Sequence, residues 1–175
     1  KGAKVIYDVK CTSLLPKLIS ENGGNPILSR TGHSFIKKKL KETNAELAGE
    51  MSGHIFFKER WYGFDDALYT GARLLEIVSN SDKTCSEIFD ELPVNLSTPE
   101  ININFEKHGQ QYEAMESLSN NIDFPDASVN TIDGFRVDYE DCWGLVRPSN
   151  TTPCLVLRFE GTGVAELNKI QERFK

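Results

Sequence analysis

Lys4-Val5-Ile6-Tyr7-Asp8-Val9 sets the architecture of the first half of the chain. The run is apolar and β-branched, and it reads as a buried strand. Lys10 follows at its carboxyl end, where open α/β sheets gather ligand-binding groups. Thr12 or Ser13 stands ready to cap a helix carrying Leu14, Leu15, Leu18 and Ile19, which Asn22-Gly23-Gly24 ends. Residues 26–29 give a second strand. Thr31-Gly32-His33-Ser34 then turns into a second helix with Phe35, Ile36 and Leu40 on one face. This strand-helix-strand-helix rhythm predicts an α/β layer with mainly parallel pairing. Residues 47–51 and 55–57 supply two further strands. Asp65 or Asp66 caps a long helix over 67–79, with Leu68, Ala72, Leu75 and Ile77 as its apolar face. Ser81 or Thr84 opens a short helix through Ile88, Phe89 and Leu92.

Residues 93–99 hold two prolines and no helical period, and they read as a linker or hinge. Beyond them, residues 100–105 alternate as a strand, and 111–119 read as a helix with Tyr112, Met115 and Leu118. Strands follow at 129–132, 135–139 and 143–146, with Asp133-Gly134 as a hairpin turn and Glu140-Asp141 as a break. A last strand at 155–160 leads to a closing helix at 164–175 bearing Leu167, Ile170 and Phe174. The fold expected is therefore a three-layer α/β domain over 1–92, with a mixed, mainly parallel sheet, followed by an α+β domain over 100–175, with an antiparallel sheet and helices on one face.

Composition is that of an ordinary globular chain: 175 residues, 39% hydrophobic and 26% charged. It contains no run of 18 apolar residues and no signal-peptide pattern, so no membrane partner is expected. The opening Lys1-Gly2-Ala3-Lys4 has no initiator Met and runs straight into a strand, which fits a truncated piece; a processed chain would look the same. Cys11, Cys85, Cys142 and Cys154 are widely spaced, with no Cys-x-x-Cys and no His at ligand spacing. Free, packed thiols in a reducing cytoplasm are expected, with no metal site. Residues 1–92 hold 13 basic and 13 acidic side chains, and residues 93–175 hold 7 and 13. The second half is too acidic to bind polyanions generally. Lys37-Lys38-Lys39 with Lys41 is the one basic run. It raises nucleic-acid binding as a rival reading, but no recognition motif accompanies it and the helix pattern leaves these lysines on the solvated side.

Two stretches carry chemistry. Gly49-Glu50-Met51-Ser52-Gly53-His54 sets a carboxylate and a hydroxyl two residues apart between glycines, which suits a vicinal diol on a sugar ring. Arg147-Pro148-Ser149-Asn150-Thr151-Thr152-Pro153 offers a guanidinium, hydroxyls, an amide and backbone N–H groups, which suit a phosphate. On residues alone each has a plain alternative: a strand-end surface carboxylate for Glu50, and a hairpin turn with one exposed arginine for Arg147. Trp61, Tyr62 and Phe64 are candidates for sugar stacking or for core packing.

Together with Asp8-Val9-Lys10-Cys11-Thr12, Thr31-Gly32-His33-Ser34, Gly63-Phe64-Asp65-Asp66 and residues 146–160, these stretches resemble the α-D-phosphohexomutases, in particular the bifunctional phosphomannomutase/phosphoglucomutases of bacteria. The resemblance runs over nearly the whole chain. It implies most of the third domain of such an enzyme (1–92), a hinge (93–99) and the fourth domain (100–175). It implies an isomerase that moves phosphate between O1 and O6 of a hexose through a phosphoserine and a 1,6-bisphosphate. Its Mg²⁺ and phosphoserine would belong to N-terminal domains of the same chain, and glucose 1,6-bisphosphate would be its activator and intermediate. Substrates would be the 1- and 6-phosphates of glucose and mannose. Glu50 and Ser52 would bind the 3- and 4-hydroxyls, and Arg147, Ser149, Asn150 and Thr151 the phosphate that is not reacting. Lys10 and His33 would face the site, His33 as a proton carrier or a donor. His54 is less defined. The family usually has Thr-Glu-Pro where this chain has Thr151-Thr152-Pro153, and often a small residue where it has Pro148. A stand-alone phosphosugar-binding module is the other reading of the same residues.

Overall fold

The computed structural model describes residues 1–120 and 123–175, which form two compact units, Lys1–Val94 and Asn95–Lys175. In the first unit β1 (Lys4–Asp8), β2 (Asn25–Ser29), β3 (Leu47–Gly49) and β4 (Ile55–Phe57) make one sheet in the order β2-β1-β3-β4. The β1–β2 and β1–β3 pairs are parallel, and β3–β4 is antiparallel. The helices α1 (Leu14–Glu21) and α2 (His33–Thr43) join the parallel strands. Successive strand residues point to opposite faces. Ile6 packs with Ile36 and Leu40 of α2, whereas Val5 lies beside Leu18 and Ile19 of α1. The two helices therefore cover opposite faces of β1, giving the three layers expected. The chain leaves β1 in one direction for β2 and returns past it to β3. That reversal puts a topological switch point at the carboxyl ends of β1 and β3.

Helix α3 (Ala67–Ser79) starts at Asp66, whose side chain accepts from the Tyr69 N–H. Helix α4 (Cys85–Asp90) starts with a full capping box between Thr84 and Glu87. The expected apolar face of α3 is not packed: Leu68 is 89% exposed and Leu75 69% exposed. The helix is held from its other side. Trp61 stacks on Tyr69 with ring centroids 4.3 Å apart, Arg73 lies over the Phe57 ring, and Arg60 meets Glu76 through two 2.9 Å hydrogen bonds. Periodicity reports that a helix has an apolar face, and here no described residue buries it. The 175-residue chain is thus expected to bind a hydrophobic-surface dye such as ANS and to self-associate at high concentration, and Leu68→Glu with Leu75→Lys is expected to abolish both. Sedimentation and dye titration check this, and equal association by parent and double variant would place the sticky surface elsewhere.

In the second unit β5 (Leu96–Ser97), β6 (Ile101–Asn104), β7 (Ser128–Asn130), β8 (Phe135–Asp138), β9 (Cys142–Pro148) and β10 (Cys154–Gly161) form an antiparallel sheet in the order β5-β10-β9-β8-β7, with β6 also paired to β10. Part of the expected linker is therefore a strand: two residues flanked by prolines carry no readable period, yet Leu96 and Ser97 pair with Gly161 and Glu160. Strand β7 ends before Ile132, and β9 is longer than expected at both ends. Helices α5 (Gln110–Ser119) and α6 (Val164–Arg173) pack Met115 and Ile170 against Cys142, Val146, Leu155 and Phe159 on one face of β9 and β10. The opposite face carries Trp143, Leu145 and Arg147 by strand alternation. The turn into β8 needs its glycine: Gly134 has φ +79°, and a Cβ there would lie 2.2 Å from the Val146 carbonyl oxygen.

Cys11, Cys142 and Cys154 are buried and form no disulfide among the described residues, whereas Cys85, expected to be packed, is exposed at the start of α4. Burial and the neighbouring Asp141 carboxylate push the Cys142 thiol up to about 11.

Candidate functional site

The carboxyl ends of β1, β2 and β3 bring together three of the quoted segments: Lys10 after β1, Thr31 to His33 after β2, and the 50–54 loop after β3. The loop is tight. The Glu50 N–H donates to the His54 carbonyl and the Gly53 N–H to the Glu50 carbonyl, both at 2.9 Å. Gly53 closes the turn at φ +91°, a region a side chain rarely adopts. Glu50 is 7% exposed and is no surface carboxylate. Its Oε1 accepts from the Gly32 N–H at 2.6 Å, at the N-terminus of α2. Its Oε2 has no hydrogen-bond partner among the described residues. Ser52 and His33 are exposed at this edge, and Lys10 is buried. His54 is oriented: its Nδ1 donates to Asp65 Oδ2 at 2.6 Å. The exposed rings of Trp61, Tyr62 and Phe64 follow in the β4–α3 connection, with Tyr62 stacked on Phe64 at 5.6 Å.

Sequence reasoning missed Asp8 here. It is fully buried at the end of β1 and accepts from Thr31 Oγ1, the Met51 N–H and the Cys11 thiol. The signal was present in the sequence as a lone carboxylate inside an apolar, β-branched run.

In the second unit the β9–β10 connection holds the other segment. Arg147 is 5% exposed, and its Nε donates to Asp133 Oδ2 at 2.9 Å. Arg147 is therefore not the exposed hairpin arginine of the plain alternative; it is buried and held by the carboxylate of the turn before β8. Ser149 is buried as well. Its Oγ lies 2.8 Å from Thr152 Oγ1 and accepts from the Thr152 N–H at 3.2 Å and, more weakly, the Thr151 N–H at 3.4 Å. Asn150 and Thr151 present exposed side chains. Gln111, which sequence reasoning did not single out, is fully buried and braces the loop from α5. Its amide donates to the carbonyls of Ser149 and Thr152 at 3.4 and 3.5 Å, and its oxygen accepts from the Gly109 N–H at 2.8 Å. Thr152, at the position where the resemblance noted a departure, is exposed, and its hydroxyl bridges Ser149 Oγ and Cys154 Sγ.

Residues 1–96 match the family described as phosphoglucomutase/phosphomannomutase, alpha/beta/alpha domain III, and residues 100–175 match its C-terminal domain. The chain belongs to the phosphoglucomutase/phosphomannomutase family. It is 53% identical to a phosphomannomutase/phosphoglucomutase of Pseudomonas putida and 55% identical to a phosphoglucomutase of Neisseria gonorrhoeae, in each case over 99% of this chain. It spans 37% and 38% of the length of those two relatives. A crystal structure of a phosphoglucomutase/phosphomannomutase family protein from Burkholderia thailandensis superposes with a TM-score of 0.91 at 52% identity, covering 99% of this chain and 36% of that one. Both units of this family member, the mixed sheet with its helices and the antiparallel sheet with its helices, follow that fold. Among the described residues no group of three or more His, Cys, Asp or Glu side chains is arranged to hold a metal ion.

Proposed function

We propose that residues 1–175 supply the sugar and phosphate recognition of a phosphomannomutase/phosphoglucomutase, an isomerase interconverting hexose 1-phosphate and hexose 6-phosphate through a phosphoserine and a 1,6-bisphosphate. The observation that carries this reading is Glu50: a buried carboxylate at the switch point, pinned through one oxygen by a helix N-terminal N–H and with its other oxygen unengaged. Glu50 Oε2 and the Ser52 hydroxyl bind the 3- and 4-hydroxyls. Turnover of a bisphosphate exchanges those two hydroxyls in space, so acceptors that tolerate either suit the reaction. Glucose and mannose differ at C2, away from this pair, so one site serves both. His33, at the start of α2, serves this site as a proton carrier or a hydrogen-bond donor, while His54 in the loop is held by Asp65.

In the second unit Arg147 gives two of its N–H groups toward Asp133 and keeps the others for phosphate oxygens. Asn150 and Thr151 add polar side chains. Ser149 acts indirectly, by holding the loop backbone. Phosphoryl transfer itself is assigned to residues outside 1–175, together with Mg²⁺; glucose 1,6-bisphosphate is the intermediate bound. The free thiols suit a cytoplasmic setting.

Calorimetry of the 175-residue chain with glucose 1-phosphate and mannose 1-phosphate, alongside an assay with glucose 1,6-bisphosphate and Mg²⁺, tests the reading. The expected result is binding of both sugars without turnover. Turnover would assign the transfer chemistry to this chain and overturn the division of labour.

A further inference from the structure

Asp8 closes a ring of hydrogen bonds around the candidate sugar site. Its Oδ2 accepts from Thr31 Oγ1 at 2.9 Å. Thr31 is peptide-linked to Gly32, whose N–H donates to Glu50 Oε1 at 2.6 Å. Glu50 leads into Met51, whose N–H returns to Asp8 Oδ1 at 3.2 Å. The Cys11 thiol adds a donor at 3.1 Å. Asp8 itself has no exposure. Burying a carboxylate is unfavourable unless its oxygens are satisfied, and an apolar side chain would fill a strand end without that penalty. What a carboxylate does here, and valine would not, is accept on both oxygens at once, from two segments that follow different strands.

We propose that Asp8 is a positioning residue for the diol-reading loop. It fixes the backbone of Met51, between Glu50 and Ser52. Through Thr31 it also fixes Gly32, the group that aims the Glu50 carboxylate. Asp8 touches no substrate; it makes the β2–α2 turn and the 50–54 loop one rigid body. The inference rests on reading that loop as the hexose site.

The test is calorimetry of the 175-residue chain with glucose 1-phosphate and with inorganic phosphate, with thermal melting of each variant. Thr31→Val keeps the shape of a half-buried side chain and removes one link of the ring. It is expected to weaken glucose 1-phosphate about fivefold, the range for one hydrogen bond, and to leave inorganic phosphate within about twofold. Asp8→Ala is expected to weaken glucose 1-phosphate by about tenfold or more. Asp8→Asn is expected to stay near the parent, because the Thr31 hydroxyl can turn to accept from the amide. Should Asp8→Ala not fold, Thr31→Val decides alone. A lower melting temperature with unchanged glucose 1-phosphate affinity overturns the proposal, since a bond that only holds the fold moves stability alone. Equal losses for both ligands overturn it too. Glu50→Gln and Ser52→Ala are run alongside: if they leave glucose 1-phosphate binding intact, the diol reading itself has failed, whereas losses there with an unaffected Thr31→Val sink only the role of Asp8.

Discussion

Arg147→Ala is expected to lower both hexose-phosphate recognition and the stability of the second unit. In the full-length protein, kcat/KM for hexose phosphates should fall by roughly tenfold to a thousandfold, the range for losing a charge-assisted, two-pronged contact. Stability should fall on the order of 3 kcal/mol, because the buried Asp133 carboxylate loses its guanidinium while the surrounding burial stays. Arg147→Lys keeps the charge without the fork and should lie between parent and alanine in both respects. Asp133→Asn separates the two effects. The guanidinium then remains without its carboxylate, so stability should drop while much of the phosphate affinity persists. Steady-state kinetics and denaturant melts of the three variants form the check. Arg147→Ala with a lowered melting point but parental kinetics would leave Arg147 a purely structural ion pair.

Glu50→Ala carries the second large effect. On the proposed reading Glu50 Oε2 gives a sugar hydroxyl a charge-assisted hydrogen bond, so kcat/KM should fall by about tenfold to a hundredfold in the full-length protein. The loss should be the same, within about threefold, for glucose and mannose phosphates, since the 3- and 4-hydroxyls are common to both. Glu50→Ala also releases the Gly32 N–H, which loosens the start of α2; Glu50→Gln keeps an acceptor for that N–H and isolates the contribution of the charge. A loss confined to one sugar would mean that Glu50 reads C2 and that the diol account is wrong.

Much of this architecture can be read from residues. Alternation in 142–161 places Val146 and Leu155 with Phe159 on one face, and the structure packs α5 and α6 there. The apolar run 4–9, followed by two helix patterns, specifies the parallel strands, and Asp66 and Thr84 cap as their positions suggest. What was not legible depends on distance along the chain. Asp8 meets partners 23 and 43 residues away, and Arg147 meets Asp133 across 14 residues. No local pattern announces such pairs. Composition singles out the β9–β10 loop as a phosphate candidate, but composition does not reveal that the Ser149 and Thr152 hydroxyls bond each other. Strand β5 escaped because two residues have no period. The apolar stripe of α3 was legible as a stripe, but a stripe does not say what covers it.

The most direct single measurement is an amide NMR titration of the 175-residue chain with glucose 1-phosphate. Shift changes are expected to concentrate in two groups of residues, at Gly32, Glu50 and Ser52 in one unit and at Ser149 to Thr152 in the other, with inorganic phosphate moving only the second group. Shifts that avoid both loops, or that reach the 50–54 loop equally with inorganic phosphate, would contradict the assignment of sugar to the first unit and phosphate to the second.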